Sequence, residues 1–401
     1  MGSRVRHGMG RQGFWRRRPW AAAGLGAVAL TLAAAGGWLA HSHDLAGPDR
    51  LPANRHAPTK VKLAAPPAPK ELQDRLAALA AAYKEPVGIA VTDVAARWTA
   101  EVAGDEVFPQ QSVSKLWVAL SVMQAVDRGS LSLGQQVVLT PDDRSVFYQP
   151  LASRIRGSRG FATTIDDLLR RQLTMSDNAA NDKLVRELGG GGAVDRTLEE
   201  KGLGGLGVGE TERDMQTRAA GLTWRPEYGQ TWIFKQAREK LPDEVRDAAL
   251  NQYLANPPDG AKPAAITETL AALKRGELLS PNATSYMLDL MAQCRTGTSR
   301  LRAGLPHDWA IAHKTGTGPD WRGASVGIND VGVITAPDGR SFAVAVMMRE
   351  TKKPFSARQA FMQKVARTVV DYWRTRAAPL AAPDQRMASA ASGAGASGAA
   401  R

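Results

Sequence analysis

Apolar residues recur along this chain in two rhythms. From Glu71 to Tyr83, Leu72, Leu76 and Leu79 return every three to four positions, which puts them on one side of a helix. Val87–Thr92 and Arg97–Val102 are short runs read as two strands of a hairpin. Helical spacing resumes with Val113, Leu116, Trp117, Leu120, Val122, Met123 and Val126 and stops at Asp127-Arg128-Gly129. The middle of the chain, from about 130 to 300, is expected to be largely helical. One helix there begins at Thr163-Thr164, with Thr163 and Asp166 spaced as a capping box, and closes at Met175. The glycine run 189–192 ends another helix; no Gly-Lys-Ser/Thr follows to make it a phosphate loop. Strand-like runs at 309–313, 326–334 and 341–348 come next, with Pro337-Asp338-Gly339 turning between the last two. Phe355 to Trp373 closes the pattern as an amphipathic helix. Strands at both ends with helices between predict an α/β fold. One antiparallel sheet, built from both chain ends and flanked by helices, carries an inserted all-helical subdomain.

The pattern breaks down at the two ends. Residues 1–19 are a basic segment, with six arginines in the first 18 positions. Trp20 to Ala40 is an uncharged run of 21 residues, about the length a spanning helix needs. Positive flanks stay cytoplasmic, so the rest is expected on the periplasmic side of the inner membrane. Residues 20–40 are either a retained transmembrane anchor or an export signal cut near Ala34-Ala35-Gly36-Gly37. Residues 41–69 read as a Pro/Ala-rich linker and 377–401 as a disordered Ala/Gly/Ser tail, leaving 70–376 as the folded domain.

Hydrophobic content of 43% in 401 residues suits a well-cored globular protein. The net charge of +13 raises the question of nucleic acid. Much of the excess sits at the N-terminus, and no groove-reading or aromatic-basic motif accompanies it, so nucleic acid is not an expected partner. Cys294 is the single cysteine, which excludes an intramolecular disulfide and argues against a zinc site or redox pair. His41-x-His43-Asp44 falls in the linker and reads as solvated chain, not a metal grip.

The chemistry starts in Phe108-Pro-Gln-Gln-Ser-Val-Ser-Lys-Leu-Trp117. Ser112 and Lys115 lie three residues apart on a helical run, which places them on one face. A serine hydroxyl becomes a useful nucleophile when a neighbouring base takes its proton, and a desolvated lysine can do so. Two later stretches join it: Met175-Ser-Asp-Asn-Ala-Ala180 and Ala312-His-Lys-Thr-Gly-Thr-Gly318.

Ser112-x-x-Lys115, then Ser176-Asp177-Asn178, then Lys314-Thr315-Gly316 together resemble the signature set of class A serine β-lactamases and the wider penicillin-binding-protein group. Arg275-Gly-Glu-Leu-Leu-Ser-Pro281 and Gly304-Leu-Pro-x-x-Trp309 extend the resemblance across 70–376. His313 before Lys314, with Asn329–Gly332, is similar to one subgroup of that class. The resemblance implies a β-lactam substrate and an acyl-enzyme on Ser112, with no metal or cofactor. It implies that Ser176 relays a proton to the leaving nitrogen and that Asn178 holds the acylamino side chain. It implies that Lys314 and Thr315 contact the substrate carboxylate. The oxyanion would sit between the N–H groups of Ser112 and Thr317.

Class A enzymes carry a glutamate after the Ser-Asp-Asn motif that primes the deacylating water. Val208-Gly-Glu-Thr-Glu-Arg-Asp-Met-Gln216 lies at that distance. Glu212 and Gln216 are the expected pair, with Glu210 and Glu227 as rivals because the usual loop motif is absent. The stretch from Ser176 to Pro263 is long for the class, so an insertion is expected near this loop. The acylation base is Lys115, or Glu212 through water. Tyr148 either lines the cleft entrance or packs a turn, and His313 is read as a partly buried strand residue. A monomer is expected. A D,D-peptidase without a working Glu212, or a membrane-anchored receptor that binds without turnover, are the competing readings.

Overall fold

The computed structural model describes residues 65–377. The basic segment, the apolar run 20–40, most of the linker with His41 and His43, and the tail from 378 onward lie outside the described residues. Among the described residues no helix is long and apolar enough to cross a membrane.

The chain runs α1 (Lys70–Tyr83), β1 (Val87–Asp93), β2 (Thr99–Val102), β3 (Phe108–Pro109) and α2 (Lys115–Asp127). Then come β4 (Gln136–Leu139), β5 (Phe161–Thr164), α3 (Ile165–Met175), α4 (Asn178–Glu187), α5 (Gly191–Glu200) and α6 (Glu212–Ala219). The third stretch holds α7 (Thr231–Glu239), α8 (Asp243–Ala255), β6 (Gly260–Ala261), α9 (Pro263–Lys274) and α10 (Pro281–Ala292). The chain ends in β7 (Ala310–Gly316), β8 (Asp320–Trp321), β9 (Ala324–Thr335), β10 (Ser341–Thr351) and α11 (Phe355–Ala377).

The main sheet has the order β2-β1-β10-β9-β7, with β8 paired to β9, and every pairing is antiparallel. Ala90 pairs with Ala345 across β1 and β10, so both chain ends do build one sheet. The central strands are buried on both faces, which explains their near-continuous apolar run. Phe342, Val344, Val346 and Met348 of β10 point into a core shared with Leu72 and Leu76 of α1 and Met362, Val365 and Val369 of α11. Ala343, Ala345 and Met347 point the other way, into a core with α2, α3, α9 and α10. That alternation is the two-residue period of a strand serving two cores at once. The β9–β10 turn uses Gly339 at φ 87, where a side chain would be strained.

Several local expectations shift. The second strand starts at Thr99, not Arg97, because Arg97 sits at φ 64 in the preceding turn. Ser112 is not inside the helix: it lies on a 3-10 turn, Gln111–Val113, and α2 begins at Lys115. The cap of α3 is Thr164, whose hydroxyl accepts from Asp167 N at 3.2 Å, one residue later than the Thr163/Asp166 spacing predicts. Thr163 instead donates to the Asp167 carboxylate at 2.6 Å. The helical middle also contains a two-stranded ribbon, β4 with β5, which its helical pattern does not predict. The strand expected at 309–313 runs on to Gly316, so Lys314-Thr-Gly lies within it rather than after it. The glycine run does end a helix, with Gly190 N donating to Val185 O at 2.8 Å.

Phe342 is fully buried and its ring lies 6.2 Å from Trp98 and 6.3 Å from Tyr372. Phe342→Ala is expected to cost about 3–5 kcal/mol of unfolding free energy, read from urea denaturation. A loss under about 1 kcal/mol would mean that this core does not hold the sheet.

Candidate active site

The hydroxyl of Ser112 projects from a turn held in an unusual shape. Gln111, just before it, has φ 53 without being glycine. The fold over-determines that conformation. Gln111 N donates to the Asp259 carboxylate at 2.6 Å, and the Gln111 side chain donates to Tyr253 Oη at 2.6 Å. Tyr253 in turn donates to Asp259 at 2.9 Å. Burial raises Asp259 to about 7. On the other side, Asn329 of β9 donates to the carbonyls of Pro109 and Gln110 at 2.8 and 2.9 Å. A Cβ on Gly316 would fall 2.3 Å from Gln110 O, so only glycine lets β7 approach the turn this closely.

Three segments converge here. Lys115 Nζ donates to Ser112 Oγ at 2.9 Å and also contacts the Glu212 carboxylate. Lys115 is fully buried and Glu212 is 4% exposed, so this ion pair is almost dry. Gln216, one turn on along α6, donates to Glu212 at 3.2 Å and to the Gln111 side chain at 2.7 Å. The Asp182 carboxylate accepts from Glu212 N at 2.7 Å and Arg213 N at 3.1 Å, pinning the start of α6 over the serine. Ser176 ends α3 in the left-handed conformation, φ 64, which turns its side chain towards Lys314 Nζ at 3.0 Å. Burial and the nearby Lys115 lower Lys314 to about 8. Asn178 donates through its side chain to Val146 O at 2.9 Å and through its backbone to Tyr148 O at 3.0 Å.

Ser112, Tyr148, Ser176, Asn178, Glu212, Gln216, Thr315 and Thr317 all line one cleft of about 370 Å³. Tyr148 is 57% exposed at its rim. The rivals of Glu212 lie elsewhere: Glu210 pairs with Arg218, and Glu227 is exposed beside Arg225. His313 is fully buried, more than expected, and contacts the Asp330 carboxylate through Nδ1 at 2.7 Å. Burial opposes its charge, but Asp330 outweighs that and raises it to about 9, so the pair acts as an internal brace between β7 and β9.

Sequence reasoning missed the supports: Gln111, Asp182, Tyr253 and Asp259 carry no recognisable spacing. It also missed Arg300, which lines the cleft and donates to Thr317 Oγ1 at 2.7 Å, Gly316 O at 2.9 Å and Asn329 O at 2.7 Å. Together the groups offer a hydroxyl beside a buried amine, a carboxylate within the same contact chain, and Lys314 and Arg300 as cations. That set suits acyl transfer to serine and onward to water. Among the described residues no cluster of three or more His, Cys, Asp or Glu side chains is placed to hold a metal.

Comparison with known proteins agrees with this chemistry. A family model described as the beta-lactamase enzyme family matches residues 71–373. The chain is 26% identical to beta-lactamase VEB-1 of Pseudomonas aeruginosa over 72% of this chain and 85% of that protein. It is similar in structure to a beta-lactamase of Chitinophaga pinensis, with a TM-score of 0.61, 25% identity, and 75% and 99% of the two chains covered. An ancestral class A beta-lactamase is 31% identical, with a TM-score of 0.56 over 75% of this chain and 99% of that one.

Proposed function

The chain belongs to the beta-lactamase enzyme family and is a serine β-lactamase of class A, and from that premise we propose that its cycle runs through an acyl-enzyme on Ser112 and ends by hydrolysis at Glu212. The observation that carries this is Lys115, whose Nζ meets both the Ser112 hydroxyl and the Glu212 carboxylate.

Ser112 Oγ attacks the lactam carbonyl carbon. Its proton passes along the Lys115–Glu212 contact and ends on the carboxylate, whether Lys115 or a water makes the first transfer. The carbonyl oxygen becomes an oxyanion facing the N–H groups of Ser112 and Thr317; one such donor is worth about 3–4 kcal/mol. Collapse breaks the C–N bond; Ser176, held by Lys314, delivers its proton to the leaving nitrogen and is recharged by the proton on Glu212 returning through Lys115, which frees the carboxylate for the next step. Water then enters beside Glu212 and Gln216, gives its proton to Glu212 and attacks the ester carbon. Collapse breaks the acyl C–O bond, Glu212 returns the water's proton through Lys115 to the departing Ser112 oxygen, and the ring-opened acid departs. Lys314, Thr315 and Arg300 fix the carboxylate of the substrate, and Asn178 its acylamino group, converting binding into orientation. Tyr148 bounds the cleft mouth.

The uncharged run 20–40 behind Arg16-Arg17-Arg18 supports a periplasmic catalytic domain, exported or held at the inner membrane. The domain 70–376 would act alone as a monomer.

Three outcomes test these readings. Wild-type protein is expected to turn over nitrocefin repeatedly, Ser112→Ala to form no adduct, and Glu212→Gln to acylate but deacylate about 10²–10⁴-fold more slowly, with the acyl-enzyme seen by intact mass. Stoichiometric labelling of wild type without turnover would point to a D,D-peptidase, and no labelling to a receptor. Because Lys314 loses its charge as pH rises through about 8, KM for a carboxylate-bearing β-lactam is expected to climb above pH 8. A flat KM up to pH 10 would remove Lys314 from substrate binding. Cell fractionation with N-terminal sequencing should find the chain intact in the inner membrane or shortened near residues 34–37 in the periplasm. An intact cytoplasmic protein would overturn the export reading.

A further inference from the structure

Beyond the catalytic groups, the cleft opens at one end onto arginine side chains that the mechanism does not use. Phe147 lines three spaces at once: the catalytic cleft, a narrow gap that also touches Gln216 and Pro319, and a separate cavity of about 280 Å³. Phe147 has φ 58 although it is not glycine, so the fold holds this ring at the boundary against its backbone preference. Arg238 of α7 and Arg246 of α8 line both the gap and the cavity.

These two cations are poorly satisfied. Arg246 stacks over the Trp321 ring, its guanidinium carbon 3.3 Å from the centroid. Arg238 faces the rings of Phe147 and Phe234 at 5.4 and 5.7 Å. Arg238 Nε is buried with no hydrogen-bond partner among the described residues. The nearby carboxylates are engaged elsewhere. Asp243 and Asp247 pair with Arg322 at 3.3 and 3.1 Å, Asp247 also accepts from Trp321 at 2.6 Å, and Glu239 lies 3.8 Å from Lys235. The cavity wall therefore carries Lys235, Arg238 and Arg246 against one acid, Glu239. Burial and the neighbouring Arg246 both lower Arg238, which is what two cations facing an empty space should do to each other. An anion between them would satisfy the orphan N–H and relieve the repulsion.

Direction identifies the ligand. The gap shares Phe147, Gln216 and Pro319 with the cleft, and Phe147 lies between Val146 and Tyr148, whose carbonyls both accept from Asn178, so the gap adjoins the part of the cleft that Asn178 lines. Resting on the reading of Asn178 as the acylamino contact, we propose that Arg238 and Arg246 form a specificity subsite for an anionic group, a carboxylate, on the acylamino side chain of the substrate. Phe147 packs against the apolar part of that side chain as it passes.

Carbenicillin and benzylpenicillin differ only in a carboxylate on the phenylacetyl side chain, so they isolate this term. Wild type is expected to prefer carbenicillin in kcat/KM, with the preference shrinking from 50 mM to 500 mM salt. Arg246→Gln and Arg238→Gln should each lower kcat/KM for carbenicillin about tenfold, chiefly through KM, and leave benzylpenicillin within twofold. The unchanged benzylpenicillin rate reports that the variant is folded. Equal loss on both substrates in Arg246→Gln, or no loss on either, would overturn the subsite. Absence of any benzylpenicillin turnover by wild type would instead sink the functional reading beneath it.

Discussion

Lys115 is the interaction on which the rest depends. Its ammonium is fully buried, and burying an isolated charge costs several kcal/mol even after relaxation. The contact with Glu212 offsets that cost only when the carboxylate is held still. Everything around α6 serves this end: Asp182 fixes its first N–H groups, Gln216 braces the carboxylate, and Gln111 ties Gln216 back to the serine turn. A hydrophobic pair of equal volume would stabilise the fold at least as well. What the ion pair adds, on the proposed cycle, is a path along which a proton can move between Ser112 and Glu212.

That constraint explains the placement of Ser112. A serine within the helix would have its backbone N–H engaged in the helical ladder. On the 3-10 turn before α2 it stands clear, and Lys115 still lies one turn away on the same side. The cost is a strained Gln111, held by Asp259 from below and by Asn329 and Gly316 from the sheet. Strand β7 comes close enough to bring Lys314 and Thr315 to the cleft only because Gly316 has no side chain. Glycine in the Lys-Thr-Gly triplet is thus a packing requirement as much as a motif letter.

What the sequence carries and what it hides divide along physical lines. Local periodicity exposes α1, the β9–β10 hairpin and α11, and the order of strands and helices exposes the sheet built from both ends. Ser112, Lys115, Ser176 and Lys314 are legible because short fixed spacings name them. Glu212 is the carboxylate that distance from Ser176 favours; its rivals Glu210 and Glu227 stay open in the sequence, and packing puts one beside Arg218 and the other exposed beside Arg225. Asp182, Tyr253, Asp259 and Arg300 act across long separations, and no window of residues can show such contacts. The Thr163 box failed because both threonines satisfy the local rule, and only the path of β5 decides which one leaves the strand.

The two ends of the cleft can be understood from the same electrostatic economy. Arg300 lines the cleft and Lys314 meets Ser176 beside it, Arg238 and Arg246 line the gap that adjoins it at Phe147, and the buried Lys115 has its own counter-ion in Glu212. A β-lactam acid carries its charge on the ring side, so the first pair has an obvious complement. The second pair has only Glu239 beside it among the described residues, because Asp243 and Asp247 turn towards Arg322 instead. Helices α7 and α8 belong to the long stretch between Ser176 and Pro263 that made the chain unusual from the outset. Their Arg238 and Arg246 line a gap that shares Phe147, Gln216 and Pro319 with the cleft, and on the proposed reading their field reaches anions arriving there.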